Sequence, residues 1–257
     1  MMRFLIQKIN GKIVHDFSFT LLQTIEFKNW LARNNKNERV LIKYFDSTSE
    51  AVDFKFKPVQ KHYVPVGTVE FVTKFLEHFY GLSPKPRNVP EELFPYADRH
   101  IFNGTEAYFS HCGKSFIKSN DKIKGTCGIF NQSETVNLPA GNYQFSSVIT
   151  IDSEWRAFVY NNKLVGLQCY AGEFTLFPNV DIIKDIIKVY KSAPVAYTLD
   201  VGVRKIGDNH NTTFIIEVHD FFSCGLYGFN DIKYLSMLHN WFWQYIQIEM
   251  VNQYKNK

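Results

Sequence analysis

Residues 197–229 read YTLDVGVRKIGDNHNTTFIIEVHDFFSCGLYGF, and the two-residue alternation inside them admits little besides a pair of strands. Side chains on a strand point to opposite faces in turn. Val195, Tyr197, Leu199, Val201 and Val203 therefore share an apolar side, with Thr198, Asp200 and Gly202 on the other. In the second run Phe214, Ile216 and Val218 make the apolar side, and Glu217 and His219 lie opposite it, next to Ile215. The turn formers GDNHN between the runs predict a hairpin, whose polar face carries Asp200, Glu217 and His219.

An ionised carboxylate loses hydration on burial unless a cation or hydrogen bonds replace it. Two carboxylates on neighbouring strands suit a hard divalent cation, and Mg2+ on protein oxygens shares its remaining positions with water and nucleotide phosphates. An antiparallel sheet with one solvated face produces the same alternation. Spacing alone leaves both open.

The chain has 257 residues, enough for one large or two to three modest domains with a real core. At 45% hydrophobic and 21% charged residues it is an ordered globular sequence rather than a disordered one. A net charge of +4, spread in mixture along the chain, is too mild to argue for nucleic acid. No apolar run approaches the ~20 residues that span a bilayer, and MMRFLIQKINGK has no signal-peptide core, so a cytoplasmic protein without a membrane partner is expected. Cys112, Cys127, Cys169 and Cys224 are widely spaced with no C-x-x-C pair, which points to reduced thiols rather than to zinc or disulfides. The sequons at Asn103, Asn131 and Asn211 carry no weight without secretion.

In chain order, RFLIQKI predicts a strand, TLLQTIEFKNWLARN a helix and RVLIKYF a second strand, together a small α/β unit with a parallel pair. FKFKPV adds an expected edge strand before its proline. From Pro65 a turn leads to a helix that Thr68 can cap, with Phe71, Phe75, Leu76 and Phe79 along one stripe and Gly81 at its end. SPKPRNVPEELFPYADRH, with four prolines, predicts an extended linker and places the main boundary near residue 100.

Beyond it, GKSFIKSNDKIKGTCGIF puts Lys114, Phe116 and Lys118 on one side of a short strand, followed by a loop with Lys122, Lys124, Gly125 and Gly128. Lysines around a glycine-bearing hairpin can cover a polyphosphate, since ammonium groups neutralise its charge and glycine permits close approach. A solvated lysine-rich hairpin reads the same way. In SEWRAFVYNNKLVGLQCY, Trp155, Ala157 and Val159 face one way and Glu154, Arg156 and Phe158 the other, before a tight turn at Asn161 and Asn162. Arg156 and Glu154 can form a structural ion pair, or Arg156 can reach a phosphate bidentately. A helix is predicted over 180–191 and a closing helix over 231–253, each with an apolar stripe that packs on the sheet.

The order of these parts, a lysine strand with a glycine loop, an S-E-W-R strand, a helix, a strand with Asp and a strand with E-x-[N/H]-D, resembles the ATP-grasp superfamily. It is most similar to the phage- and bacteria-associated clade named for one arginine and two lysines. SEWRAFV and EVHDFFSCGLYGF are the specific parts, and the resemblance spans roughly residues 109–229. It implies an α+β ATP-grasp fold, two α+β subdomains clasping ATP, over residues 101–257 with the closing helix. A small α/β pre-grasp domain with its proline-rich linker would occupy residues 1–100.

It also implies ATP and Mg2+ as cofactors. Lys118 looks like the strand lysine near the adenine and α-phosphate, and Lys122 or Lys124 like loop lysines over the β- and γ-phosphates. Ser147 and Val148 would lie at the hinge where adenine bonds to backbone, and Glu154 would belong to the same nucleotide site. Arg156 would contact the transferring phosphoryl group or the acyl-phosphate, making it and Lys118 the catalytic residues. Asp200 and Glu217 would hold Mg2+. Where many members have asparagine two residues after that glutamate, this chain has His219 followed by Asp220. Either His219 hydrogen-bonds to phosphate or Asp220 completes the metal site after the strand twists. The activity implied is ATP-dependent carboxylate–amine ligation through an acyl-phosphate, with a small-molecule or peptide carboxylate and an amine as substrates. The alternative is a nucleotide-binding interaction protein that keeps the fold without ligating.

Overall fold

Residues 1–49, 54–131, 138–207 and 210–255 are described by the computed structural model. The expected hairpin turn at 208–209 and the last two residues of the Asn131 sequon lie outside them. The first elements are β1 (Arg3–Ile9), α1 (Asp16–Leu31), β2 (Leu41–Ser47), β3 (Val64–Val66) and α2 (Val69–Tyr80). Then come β4 (Ile101–Thr105), β5 (Ser115–Ser119), β6 (Cys127–Phe130), β7 (Asn142–Ser147), β8 (Ser153–Tyr160) and β9 (Lys163–Gly172). The chain continues through α3 (Val180–Val189), β10 (Ala196–Lys205), β11 (Asn211–Asp220) and α4 (Tyr234–Lys255). No helix among the described residues is long and apolar enough to cross a membrane.

The chain divides into two compact units, one of residues 1–83, 194–196 and 221–257, the other of residues 84–193 and 197–220. In the first, β1 runs parallel to both β2 and β3, which confirms the expected α/β arrangement. Phe4, Leu5 and Ile6 are consecutive and fully buried, as a central parallel strand covered on both faces requires. Helix α2 begins where Thr68 accepts a bond from the Phe71 N–H at 3.1 Å and ends at Gly81, whose φ of 66° is the left-handed conformation glycine adopts without strain. The expected strand at FKFKPV is not formed over 54–57. Phe54 and Phe56 instead pack edge-on or tilted against Phe45 and Phe71, ring centroids 5.2–5.9 Å apart, and the third strand is Val64–Val66, in the segment read as a turn.

The second unit holds two four-stranded sheets, ordered β11-β10-β8-β9 and β4-β7-β5-β6. Its main core joins Ile183, Ile186 and Ile187 of α3 to Trp155, Ala157 and Val159 of β8 and to Leu199, Val201 and Val203 of β10. The proline-rich segment is no free linker. Val89, Leu93 and Ala97 are buried in this core, and the Val218 N–H donates to the Asn88 carbonyl at 2.8 Å. The division therefore falls at residue 84 instead of near 100, and α4, expected with the second domain, belongs to the first unit.

Strands β10 and β11 pair antiparallel with an irregularity: Asp200 faces Glu217, but Val201 faces Ile215, leaving Ile216 as an extra residue. A bulge of this kind shifts the alternation by one. Ile215 thus joins Val218 in the core, while Ile216, expected on the apolar side opposite Glu217, turns to the side of Glu217. Asn161 and Asn162, at φ 50° and 57°, form the expected tight turn between β8 and β9.

Candidate nucleotide and metal site

The bulge follows directly on the pair that matters most. Asp200 and Glu217 are cross-strand neighbours, and Thr198 faces His219 one alternation further along. Nε2 of His219 lies 2.8 Å from Oε1 of Glu217 and 3.5 Å from Oδ2 of Asp200, and one ligand atom from each of the three residues falls within 4.8 Å of the others. From the adjacent strand β8, Arg156 donates Nε to Oδ1 and Nη2 to Oδ2 of Asp200 at 2.8 and 2.7 Å. Lys118 on β5 forms an ion pair with Glu217. Asp200 is 1% exposed and Arg156 7%, so the bidentate pair is sealed from water, while His219 stays half-exposed.

Charge follows from this packing. Burial pushes the Asp200 carboxyl up, but the bonds from Arg156 and His219 and their charges outweigh it and hold the group below its ordinary range. Burial pulls the Lys118 ammonium below its usual value; Cys127 and Asp200 oppose the shift, and the charges of Arg156 and Arg99 add to it. Burial also raises the Tyr170 phenol, helped by Asp200 and by Glu154, whose Oε2 accepts the Tyr170 hydroxyl at 2.7 Å. The Tyr170 ring in turn lies 5.6 Å from the Arg156 guanidinium. Glu154 is thus tied to the Tyr170 hydroxyl, and Arg156 to Asp200 with the Tyr170 ring beside it.

Of these groups Lys118, Glu154, Tyr170 and Glu217 line a cavity of about 300 Å³. Its charged end is lined by Lys118, Glu217, Glu154 and Arg99, and its apolar walls by Phe116, Ile129, Ile149, Ile151 and Ile216. Ser147 and Val148, at and just past the end of β7, also line it, beside these apolar walls. Lys118, Ser147, Val148, Glu154 and Glu217 are therefore brought together, with Asp200, Arg156 and His219 adjoining.

Three expected residues are not. Lys122 and Lys124 sit exposed at the turn of the β5–β6 hairpin and do not line the cavity; Gly128 lies within β6 rather than in the loop. Asp220 cannot complete the metal set. Strand alternation continues to the end of β11 and sends Asp220 to the face opposite Glu217 and His219, where its Oδ1 accepts from Nε of Arg87 at 2.7 Å.

Arg99 and Tyr170 join the site without any signal in the sequence pattern. Arg99 precedes β4 and reaches the cavity by donating Nη1 to the Ile215 carbonyl at 2.8 Å and Nη2 to the Ile216 carbonyl at 2.9 Å. Those carbonyls flank the bulge, a feature no periodicity reveals. Tyr170 sits in a strand that is partly exposed along most of its length, so nothing in its pattern singles it out.

The family model of the ATP-grasp domain, family 2 of the clade named for one arginine and two lysines, matches residues 97–237, more than half of the chain. Comparison with curated proteins finds no match. Among solved structures, the chain is similar to a D-alanine–D-alanine ligase from Bacillus anthracis at 12% identity and TM-score 0.48, covering 97% of this chain and 100% of that one. It is also similar to the ATP-grasp ligase PsnB complexed with minimal precursor, at 10% identity and TM-score 0.47 over 95% and 99% of the two chains. A RimK domain ATP-grasp protein from Sphaerobacter thermophilus gives 12% identity and TM-score 0.47 over 95% and 98%. Likenesses at such identities do not reach to function, and the family rests on the sequence match. By that match, with the α+β fold expected for it, this chain belongs to the ATP-grasp superfamily, in family 2 of the one-arginine, two-lysine clade.

Proposed function

We propose that this chain is an ATP-dependent carboxylate–amine ligase that forms an amide through an acyl-phosphate intermediate. The observation that carries it is one cavity that joins apolar walls beside Ser147 and Val148 to the charged groups of Lys118, Glu217, Glu154 and Arg99, with the Arg156–Asp200 pair linked to it through the strand pairing of Asp200 with Glu217. A carboxylate is a poor electrophile for an amine. Transfer of the γ-phosphoryl group to it gives an acyl-phosphate and ADP, and attack by an amine then forms the amide and releases phosphate. The protein's part is alignment and charge stabilisation.

In this reading the apolar part of the cavity receives adenine, Lys118 and Arg99 face the phosphates, and Arg156, held in orientation by Asp200 and Tyr170, meets the phosphoryl group in transfer. Lys122 and Lys124 reach the phosphates only if their hairpin turn closes over them. The donor set of Asp200, Glu217 and His219, two carboxylates and an imidazole, fits a divalent cation that would accompany the nucleotide, Mg2+ being the one the family resemblance implies. Such an ion would neutralise polyphosphate charge. The substrates are taken to be a small-molecule or peptide carboxylate and an amine.

Thermal unfolding with and without ATP and Mg2+ tests the reading. A ligand that binds only the folded chain at 100 times its Kd adds about 2.7 kcal/mol. A rise in Tm that shrinks in Glu217→Gln is expected, followed by ADP release that needs both an acid and an amine. No rise at millimolar ATP overturns it. A second reading, nucleotide binding without ligation, draws on the engagement of both Asp200 oxygens by Arg156. It predicts the same thermal shift with no ADP formed from any acid and amine pair.

A further inference from the structure

We propose that His219 is a direct metal ligand and makes this site selective for a divalent first-row transition ion of the Mn2+ type over Mg2+. The inference rests on the nucleotide-site reading above and concerns which ion accompanies the nucleotide.

The geometry narrows the third protein donor to nitrogen. Residues 217 and 219 share a face of β11, and Nε2 of His219 already lies 2.8 Å from one Glu217 oxygen and 3.5 Å from one Asp200 oxygen. Those three atoms converge within a span one cation can bridge. The oxygen that could have replaced the imidazole, on Asp220, is held on the opposite face by Arg87. His219 is also the most accessible of the three, with 36% of its side chain exposed against 20% for Glu217 and 2% for Asp200, so an ion arriving with a polyphosphate meets the imidazole first.

The chemistry of the two ion classes then separates them. Mg2+ holds oxygen ligands in a near-ideal octahedron at about 2.0–2.1 Å and gives up its water reluctantly. An imidazole nitrogen fixed among its oxygens offers it little. Imidazole favours the first-row transition ions, and among them Mn2+ also accepts the carboxylate and phosphate oxygens that fill the rest of the site. One histidine in place of an oxygen donor thus tilts the site without removing its capacity for polyphosphate.

The test uses the full chain with ATP, titrating Mn2+ by electron paramagnetic resonance, alone and against Mg2+, in wild type and in His219→Asn. In wild type the preference for Mn2+ should exceed that of ATP alone by about tenfold or more, a change of the size that even outer-shell substitutions produce in metal affinity. Bound Mn2+ should show nitrogen modulation in the pulsed spectrum. In His219→Asn the preference should fall to that of free ATP and the modulation should vanish. His219→Gln, with thermal unfolding of both variants, guards against loss of folding. Equal preference in wild type and both folded variants, or no nitrogen coupling in wild type, overturns the proposal while ATP binding leaves the nucleotide site standing. Failure to bind ATP with either ion overturns both.

Discussion

Arg156 grips Asp200 through two parallel hydrogen bonds, Nε to Oδ1 at 2.8 Å and Nη2 to Oδ2 at 2.7 Å, between the neighbouring strands β8 and β10. Both side chains are almost wholly buried, so each charge leans on the other, and Asp200 also on His219, for the solvation it has lost. The same contact that fixes the Arg156 guanidinium also joins two neighbouring strands of the sheet.

Removing one partner should be costly. Arg156→Ala leaves a buried carboxylate with only His219 beside it and is expected to lower stability by about 3–5 kcal/mol in urea unfolding. Arg156→Lys should recover little of it, because an ammonium cannot make the planar two-point contact. The double variant Arg156→Met with Asp200→Leu should regain most of the loss, since it removes both charges and keeps the volume. A loss below about 1 kcal/mol for Arg156→Ala would mean that Asp200 finds other solvation.

Acid should act on the same pair. Asp200 sits below its ordinary value of 3.8 because the bonds and charges of Arg156 and His219 outweigh its burial, with Glu217 paired across the strands and Lys118 coupled to it by charge. A carboxyl whose pKa is lower folded than unfolded stabilises the fold above about pH 4, and this contribution is lost as pH falls through the folded value. Glu92, Glu106, Asp121 and Glu173 are also lowered, so wild type carries several such contributions. The difference between wild type and Asp200→Asn isolates one. Denaturation from about pH 6 to about pH 3 should show wild type losing its advantage over the variant below about pH 4; parallel curves across that window would refute the assignment.

How much of this is legible in the sequence depends on how local the cause is. Strand β10 alternates without interruption, so its pattern sets Asp200 on the polar face, and the signals Thr68 and Gly81 mark α2 because capping is decided within one turn. Strand β11 defeats the same reasoning at Ile215 and Ile216, since the extra residue exists only in its pairing with β10. Four prolines suggest a linker, yet Val89 and Leu93 between them are apolar and find a core, a tertiary effect that composition does not register. Asp220 enters the expected metal set through its place in the family's motif, although simple alternation already sets it on the other face. Lys122 and Lys124 match a phosphate loop in spacing, and their exposure on the hairpin depends on where that turn points.

Arg99 gives the last expectation. Its guanidinium donates to the carbonyls of Ala97, Ile215 and Ile216, which orient it but supply no negative charge, and burial lowers it to about 10 with only Asp98 pulling the other way. A cation desolvated in this manner gains when an anion enters the cavity it lines. Arg99→Gln should therefore weaken ATP binding about tenfold or more, as loss of a charged hydrogen-bond partner does, whereas Arg99→Lys should fall between that variant and wild type. Cys127 offers the readout. It is an exposed thiol on the cavity wall, paired across the hairpin with Lys118, and bound nucleotide should shield it from a maleimide. Labelling resolved by mass spectrometry separates Cys127 from Cys112 and Cys169 and yields the ATP concentration that half-protects it. Both variants lose bonds to the bulge carbonyls and should unfold at similar, lower temperatures, so a difference between them in half-protection reports charge rather than stability. Equal half-protection in wild type and Arg99→Gln would assign Arg99 to holding the bulge alone.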